Sequence, residues 1–133
     1  MYMLDTNICI FLIKKKSLIL LERLQKTIPG DLYLSAITLA ELEHGVEKSL
    51  YPEKNSNALM HFLSIVEILP FDDKAAREYG KVKTYLQKRG IPISPLDTLI
   101  AAHAKVIGAV LVTNNTKEFA RVYGLCLEDW TLP

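Results

Sequence analysis

The chain has 133 residues, half of them hydrophobic and 23% charged, with a formal net charge of +1. That length predicts a single domain, residues 1–133, with room for a packed core, and the composition excludes a disordered chain. No apolar run approaches the roughly 18 residues of a membrane helix, and no basic-then-apolar leader precedes the first strand. A cytoplasmic protein without membrane association is therefore expected.

The near-neutral charge gives no general sign of nucleic-acid binding, but it leaves room for a local basic patch. Cys9 and Cys126 lie far apart among apolar neighbours and are expected as buried free thiols. Without a C-x-x-C pair, a thiolate zinc site is not indicated.

The organising stretch opens the chain. Met1 to Leu4 reads as a short buried strand that runs into Asp5-Thr6-Asn7, and an apolar helical run, Ile8 to Ile13, follows. In open α/β sheets, ligands bind beyond the carboxyl ends of the strands. Asp5 is thus either a functional carboxylate or a helix cap, a role that Asp often fills. Lys14-Lys15-Lys16 breaks the run. Ser17 caps a helix predicted from Leu18 to Thr27, which Pro29-Gly30 stops. Leu32 to Ser35 reads as the second strand and leads into a helix through Glu41 to Gly45, ended or kinked at Tyr51-Pro52.

Residues Glu53 to Ile65 form an amphipathic helix, with Leu59, Phe62, Leu63 and Val66 at helical spacing. A short third strand, Glu67 to Phe71, precedes a long helix capped at Asp72 or Asp73 and reaching Lys88, with Ala75, Ala76, Tyr79, Val82 and Leu86 as its inner face. Ser94 as cap and Pro95 at the first position start a helix over Leu96 to Ile107. Being apolar on most sides, it is expected to be buried. Ala109 to Thr113 is the clearest buried strand. Asn114-Asn115 turn it into a short helix ending near Phe119, and a last strand is expected over Leu125 to Leu127. Strands alternating with helices predict an α/β fold, a parallel sheet with helices on both faces.

Asp5, Glu41, Asp97 and Asn115 each fall at or just inside an expected helix start. Glu41 and Asp97 also stand three residues after Thr38 and Ser94, the spacing of a capping box. One reading is that these residues only close helix ends. The other follows from topology. Helix starts that come off parallel strands gather on one edge of the sheet, where clustered carboxylates repel one another and raise one another's pKa. A cation relieves that cost, and oxygen-only donors suit a hard one, Mg²⁺ or Mn²⁺. Such an ion held by a few carboxylates commonly serves phosphate chemistry.

The scattered His44, His61 and His103 show no zinc-binding spacing. His44 shares a helical face with Glu41 and is either a site-edge or a surface residue, whereas His103 points away from Asp97 and reads as packing. Lys74, Arg77, Lys81 and Lys88 form a basic stripe, joined in charge by Lys14, Lys15, Lys16 and Lys48. It is either a solvated face or a track for phosphates.

With these residues in hand, the sequence resembles the PIN-domain family, and most of all the VapC-type toxin ribonucleases of bacterial toxin–antitoxin pairs. The matching pieces are Met3-Leu4-Asp5-Thr6-Asn7, Ser35 to Leu42 with Gly45, Pro95-Leu96-Asp97 with Ile100 to Ala104, Leu111 to Asn115 with Glu118-Phe119, and the closing Glu128-Asp129-Trp130. They occur in family order and at family spacing over essentially the whole chain.

The resemblance implies a three-layer α/β/α sandwich on a five-stranded parallel sheet, with Mg²⁺- or Mn²⁺-dependent endoribonuclease activity on RNA, transfer RNA being a common target of similar toxins. It further implies that Asp5, Glu41 and Asp97 are the acidic metal-site residues. Asn115 stands where many members carry a fourth acid, and an amide there ligates more weakly and adds no charge. Thr6, Asn7 and Thr113 fall where they orient the carboxylates. A cognate antitoxin whose tail covers the acids, with an arginine reaching them, and a homodimer are both implied.

The rivals are weaker in the residues. An aspartyl-phosphate phosphatase wants a second acid where Asn7 stands. A phospho-receiver domain wants paired acids beside Asp5. A PIN-like RNA- or protein-binding module without catalysis draws its support from Asn115.

Overall fold

The structure is a computed structural model and describes residues 1–133. Five short strands, β1 (Tyr2–Leu4), β2 (Leu32–Ser35), β3 (Glu67–Leu69), β4 (Val110–Val112) and β5 (Leu127–Glu128), form one parallel sheet in the order β3-β2-β1-β4-β5. Seven helices connect them: α1 (Thr6–Ile13), α2 (Leu18–Gln25), α3 (Ala36–Glu47), α4 (Pro52–Leu63), α5 (Asp73–Lys88), α6 (Pro95–Ile107) and α7 (Thr116–Phe119).

The two-residue repeat of a strand explains the layering. In the β1–β4 ladder Met3 pairs with Leu111 and Leu4 with Val112. Leu4 and Val112 join Ile8, Leu12, Leu20, Leu42, Leu59 and Phe62 in one core, from α1, α2, α3 and α4. Met3 and Leu111 face the opposite way, into a core with Val82 and Leu86 of α5 and the apolar side of α6. This is the expected α/β/α sandwich. Central β1 leaves its last residue, Leu4, directly before Asp5, so the middle of the sheet delivers Asp5 to its carboxyl edge.

Local signals set most boundaries. Ser17, Ser35, Asp72 and Ser94 all accept a backbone N–H as helix N-caps, and α6 ends on Gly108 at φ +69°, a left-handed value that glycine adopts without strain. Several expectations shift. The helix after Ser17 stops at Gln25, two residues short of Thr27. Pro52 opens α4, one residue before the expected Glu53, and α4 stops at Leu63, short of Ile65. Proline is favoured at a first helical position because its missing N–H has no partner there anyway.

Strand β3 ends at Leu69 and does not reach Phe71, since Pro70 has no N–H for a further rung. The last strand is Leu127–Glu128, not Leu125 to Leu127; its register is set by pairing with Leu111 and Val112. That shift leaves Cys126 exposed, against expectation, whereas Cys9 is buried as expected. Ala76, counted in the inner face of α5, is also exposed. No helix is long and apolar enough to cross a membrane.

Candidate metal-dependent active site

Asp5 is almost completely buried and caps α1, its Oδ1 accepting the Ile8 N–H at 2.9 Å. The capping role is therefore real, but it does not exhaust the residue. Burial pushes the Asp5 carboxyl up to about 6; the Thr113 hydroxyl and the Ile8 N–H oppose the rise, and Asp97 and Glu41 add to it. Three acids distant in sequence thus feel one another.

Asp5, Glu41 and Asp97 line one cavity of about 890 Å³ at the carboxyl end of β1, with Thr6 and Asn7 beside them. The cavity extends away from the acids over Ile10, Leu42 and Leu59, and Lys14, His44 and Lys48 also border it. His44 accordingly takes the site-edge position.

Each acid is held differently. Glu41 is the sixth residue of α3, whose cap is Ser35 and not Thr38, so the capping-box reading and the placement at a helix start both fail for it. Its Oε1 instead accepts the Thr6 hydroxyl at 2.7 Å, which ties α3 to the start of α1. Asp97 does sit in the first turn of α6, and its N–H donates to the Ser94 hydroxyl at 3.2 Å. Its carboxyl is raised from the usual range, first by burial and then by Glu118, with the Ser94 hydroxyl opposing.

Asn115 is placed less directly. Its N–H donates to the Thr113 hydroxyl at 2.9 Å, and its amide donates to Glu118 Oε2 at 3.1 Å. It is not among the residues lining the cavity with the three acids. The negative charge beside Asp97 comes from Glu118, a residue that inspection of helix starts passed over. Its signal was available, three residues after Asn115 and on the same helical turn.

A buried polar link supports two of the acid-bearing helices. His103 of α6 lies 2.8 Å through Nδ1 from the Ser35 hydroxyl, which also caps α3 by accepting the Ile37 N–H. The Ser35 hydroxyl thus bonds both the α3 backbone and the imidazole of α6, a contact that a neutral imidazole makes as donor or as acceptor. Burial lowers the pKa of His103 in agreement, against the pull of Asp72.

The donor chemistry fits a hard divalent cation. All candidate ligands are oxygen atoms, and burial and mutual repulsion leave Asp5 and Asp97 undercompensated, a cost a dication relieves. No three His, Cys, Asp or Glu side chains are drawn together closely enough to hold an ion as they stand. What the structure brings together is the charge and the oxygen donors around one cavity.

A parallel sheet in the order 3-2-1-4-5, with acids converging beyond its central strand, defines the class of a PIN-like α/β/α protein. The PIN-domain family model matches residues 2–125, and the chain belongs to that family, among its VapC-type ribonucleases. It is 45% identical over 130 residues to the tRNA(fMet)-specific endonuclease VapC of Shigella flexneri, covering 98% of each chain. Among solved structures it superposes at a TM-score of 0.93 on the DNA-bound VapBC of Salmonella typhimurium, at 44% identity over 97% of each chain. It superposes at 0.91 on the promoter-bound VapBC2 of Rickettsia felis, at 43% identity over 97% of this chain and 98% of that one.

Proposed function

We propose that this chain, as one domain over residues 1–133, is a metal-dependent endoribonuclease of the cytoplasm that hydrolyses RNA phosphodiester bonds as the toxin of a toxin–antitoxin pair. The observation that carries the reading is the shared cavity of Asp5, Glu41 and Asp97 at the carboxyl end of the sheet. The relatives named as endonucleases and ribonucleases agree with it, and the transfer-RNA specificity of the Shigella enzyme makes transfer RNA the first substrate to try.

Asp5 and Asp97 would hold Mg²⁺ or Mn²⁺, with Glu118 supplying the fourth negative charge and Asn115 contributing through its hydrogen bond to Glu118. Such a dication, when bound, polarises a phosphoryl oxygen and makes a water molecule more acidic. The chain's own groups do the positioning. Thr6 occupies Oε1 of Glu41, so the other carboxylate oxygen is free to orient the attacking water. Thr113 and the Ile8 N–H fix the Asp5 carboxylate, and Lys14 and Lys48 give the cavity rim positive charge for the phosphates on either side of the cut. Ser49, Ser94 and His44 border the cavity without hydrogen-bonding one another, and this reaction needs no such pair.

A cognate antitoxin and a homodimer belong to the same proposal. The apolar floor over Ile10, Leu42 and Leu59, ending at three acids, suits a peptide that brings apolar side chains and one arginine. Exposed Leu50, Tyr51 and Met60 give apolar area for self-association.

The test is RNA cleavage with Mg²⁺ or Mn²⁺, with and without EDTA, beside Asp5→Asn and Asp97→Asn. Cleavage by the wild type that is lost in EDTA and in both variants is expected; full activity in EDTA or in either variant overturns the mechanism. The mass of a co-expressed complex tests the two partners.

A further inference from the structure

A second hollow, of about 370 Å³, opens between α5, the last turn of α6 and Tyr123, and is lined by Glu78, Lys81, Val82, Tyr85, Lys105 and Tyr123. It shares no residue with the acid-lined cavity. Lys105 is eight residues along α6 from Asp97, about 12 Å at 1.5 Å per residue, a gap that a few nucleotides of one strand can bridge.

The hollow is built of aromatic rings and cations. Tyr85 and Tyr123 lie 6.0 Å apart between centroids, tilted by 39°. Lys105 Nζ sits 4.9 Å from the Tyr123 ring and the Arg89 guanidinium 4.6 Å from the Tyr85 ring. Lys105 is held by Glu78 at 3.2 Å, and its side chain passes where a Cβ on Gly124 would come to 3.0 Å from Lys105 Cε. Glu78, the one acid of the hollow, is thereby neutralised, and the positive charge of Lys81 and Arg89 is left over. Tyr123 is nevertheless 70% exposed, so much of its ring is open to solvent. The exposed Lys74, Arg77, Lys81 and Lys88 continue the positive charge along α5.

We infer that this hollow is a stacking site for an unpaired base of an RNA strand, with Lys81 and Arg89 on the flanking phosphates. Aromatic rings interleaved with cations bind single strands in this way, because every base has a face to stack and every nucleotide a phosphate. The inference rests on the RNA reading of the protein and adds a contact for the substrate outside the acid groove.

The test is equilibrium binding of a single-stranded oligouridylate and of a blunt RNA duplex to the full chain in EDTA, with Tyr123→Ala and Tyr123→Phe. Alanine is expected to weaken binding of the single strand by about tenfold and that of the duplex much less, with phenylalanine close to wild type. Unchanged binding by Tyr123→Ala overturns the inference while leaving the ribonuclease reading intact. So does an equal loss on both RNAs, which would show that the ring does not serve an unpaired base. A change of oligomeric mass in Tyr123→Ala that accounts for the loss would assign the hollow to a protein contact instead. A wild type that neither binds nor cleaves RNA removes the function and this site together.

Discussion

Replacing Asp5 by Asn should stabilise the metal-free protein while abolishing its activity. Asp5 is 3% exposed, and its carboxyl stands at about 6 against an ordinary 3.8. A raised folded pKa means that the native state holds the proton more tightly than the unfolded chain does. Stability from this group is therefore greatest below pH 3.8, is lost as the pH rises towards 6, and stays lost above it. At about 1.4 kcal/mol per pH unit between those values, the ionised carboxylate costs on the order of 3 kcal/mol at neutral pH.

Asparagine carries no charge and still caps a helix, so the Ile8 N–H keeps its acceptor. Thermal melts in EDTA at pH 7.5 should place the variant higher by about 5–10 °C. The gap should narrow to about 0.5 kcal/mol near pH 4, where the wild-type carboxyl is protonated in the native state and about two-fifths protonated in the unfolded one. Added Mn²⁺ should then raise the melting temperature of the wild type and leave the variant where it was. A variant less stable than wild type at pH 7.5 in EDTA, or a gap that ignores pH, refutes the claim that Asp5 is an undercompensated charge.

Thr6→Val removes the 2.7 Å bond to Glu41 and should lower kcat about tenfold with little change in KM, measured by steady-state RNA cleavage; an unchanged kcat would show that Glu41 needs no holding. Glu118→Gln should weaken Mn²⁺ binding severalfold in calorimetry, because it deletes a negative charge that acts on Asp97, whereas Asn115→Ala should do less. The neutral His103 gives up stability as the pH falls below its ordinary value of 6.5, since the unfolded chain takes the proton first; a His103→Asn variant should lose that part of the acid sensitivity in denaturant titrations. Ellman's reagent should titrate one thiol rapidly, the exposed Cys126, and reach the buried Cys9 only on unfolding.

The layering was legible because β1, β2 and β4 are largely apolar and the helices are punctuated by Ser17, Pro29-Gly30, Ser94-Pro95 and Gly108, whereas the strand order comes from the pairing itself. What failed was short and edge-placed. The β5 assignment slipped because two residues carry too little pattern to set a register, which pairing with β4 decides. At the site, Asp5 and Asp97 were readable as carboxylates at helix starts. Glu41 was found for an incorrect reason, since it lies mid-helix and reaches the cavity through the path of α3 and its bond to Thr6. Glu118 was passed over as a site residue although its three-residue spacing from Asn115 was there to read; only its repulsion with Asp97 is a tertiary fact.

Helix cap and active-site acid, which the sequence posed as competing roles for Asp5, are compatible within one geometry. A strand that ends in the middle of a parallel sheet must turn its chain into a helix, and the first free N–H groups of that helix demand an acceptor. A carboxylate there spends one oxygen, Oδ1, on Ile8 and leaves the other facing the same edge of the sheet as the acids that follow β2 and precede β4. The N-terminal dipole of α1 favours the charged form, yet burial and the neighbouring acids outweigh it, and the net carboxyl pKa rises. A solvent-exposed cap would show the opposite balance, with its pKa pulled down by the helix. The upward shift marks Asp5 as a buried carboxylate whose charge its surroundings leave only partly compensated, the condition under which a bound cation would stabilise it.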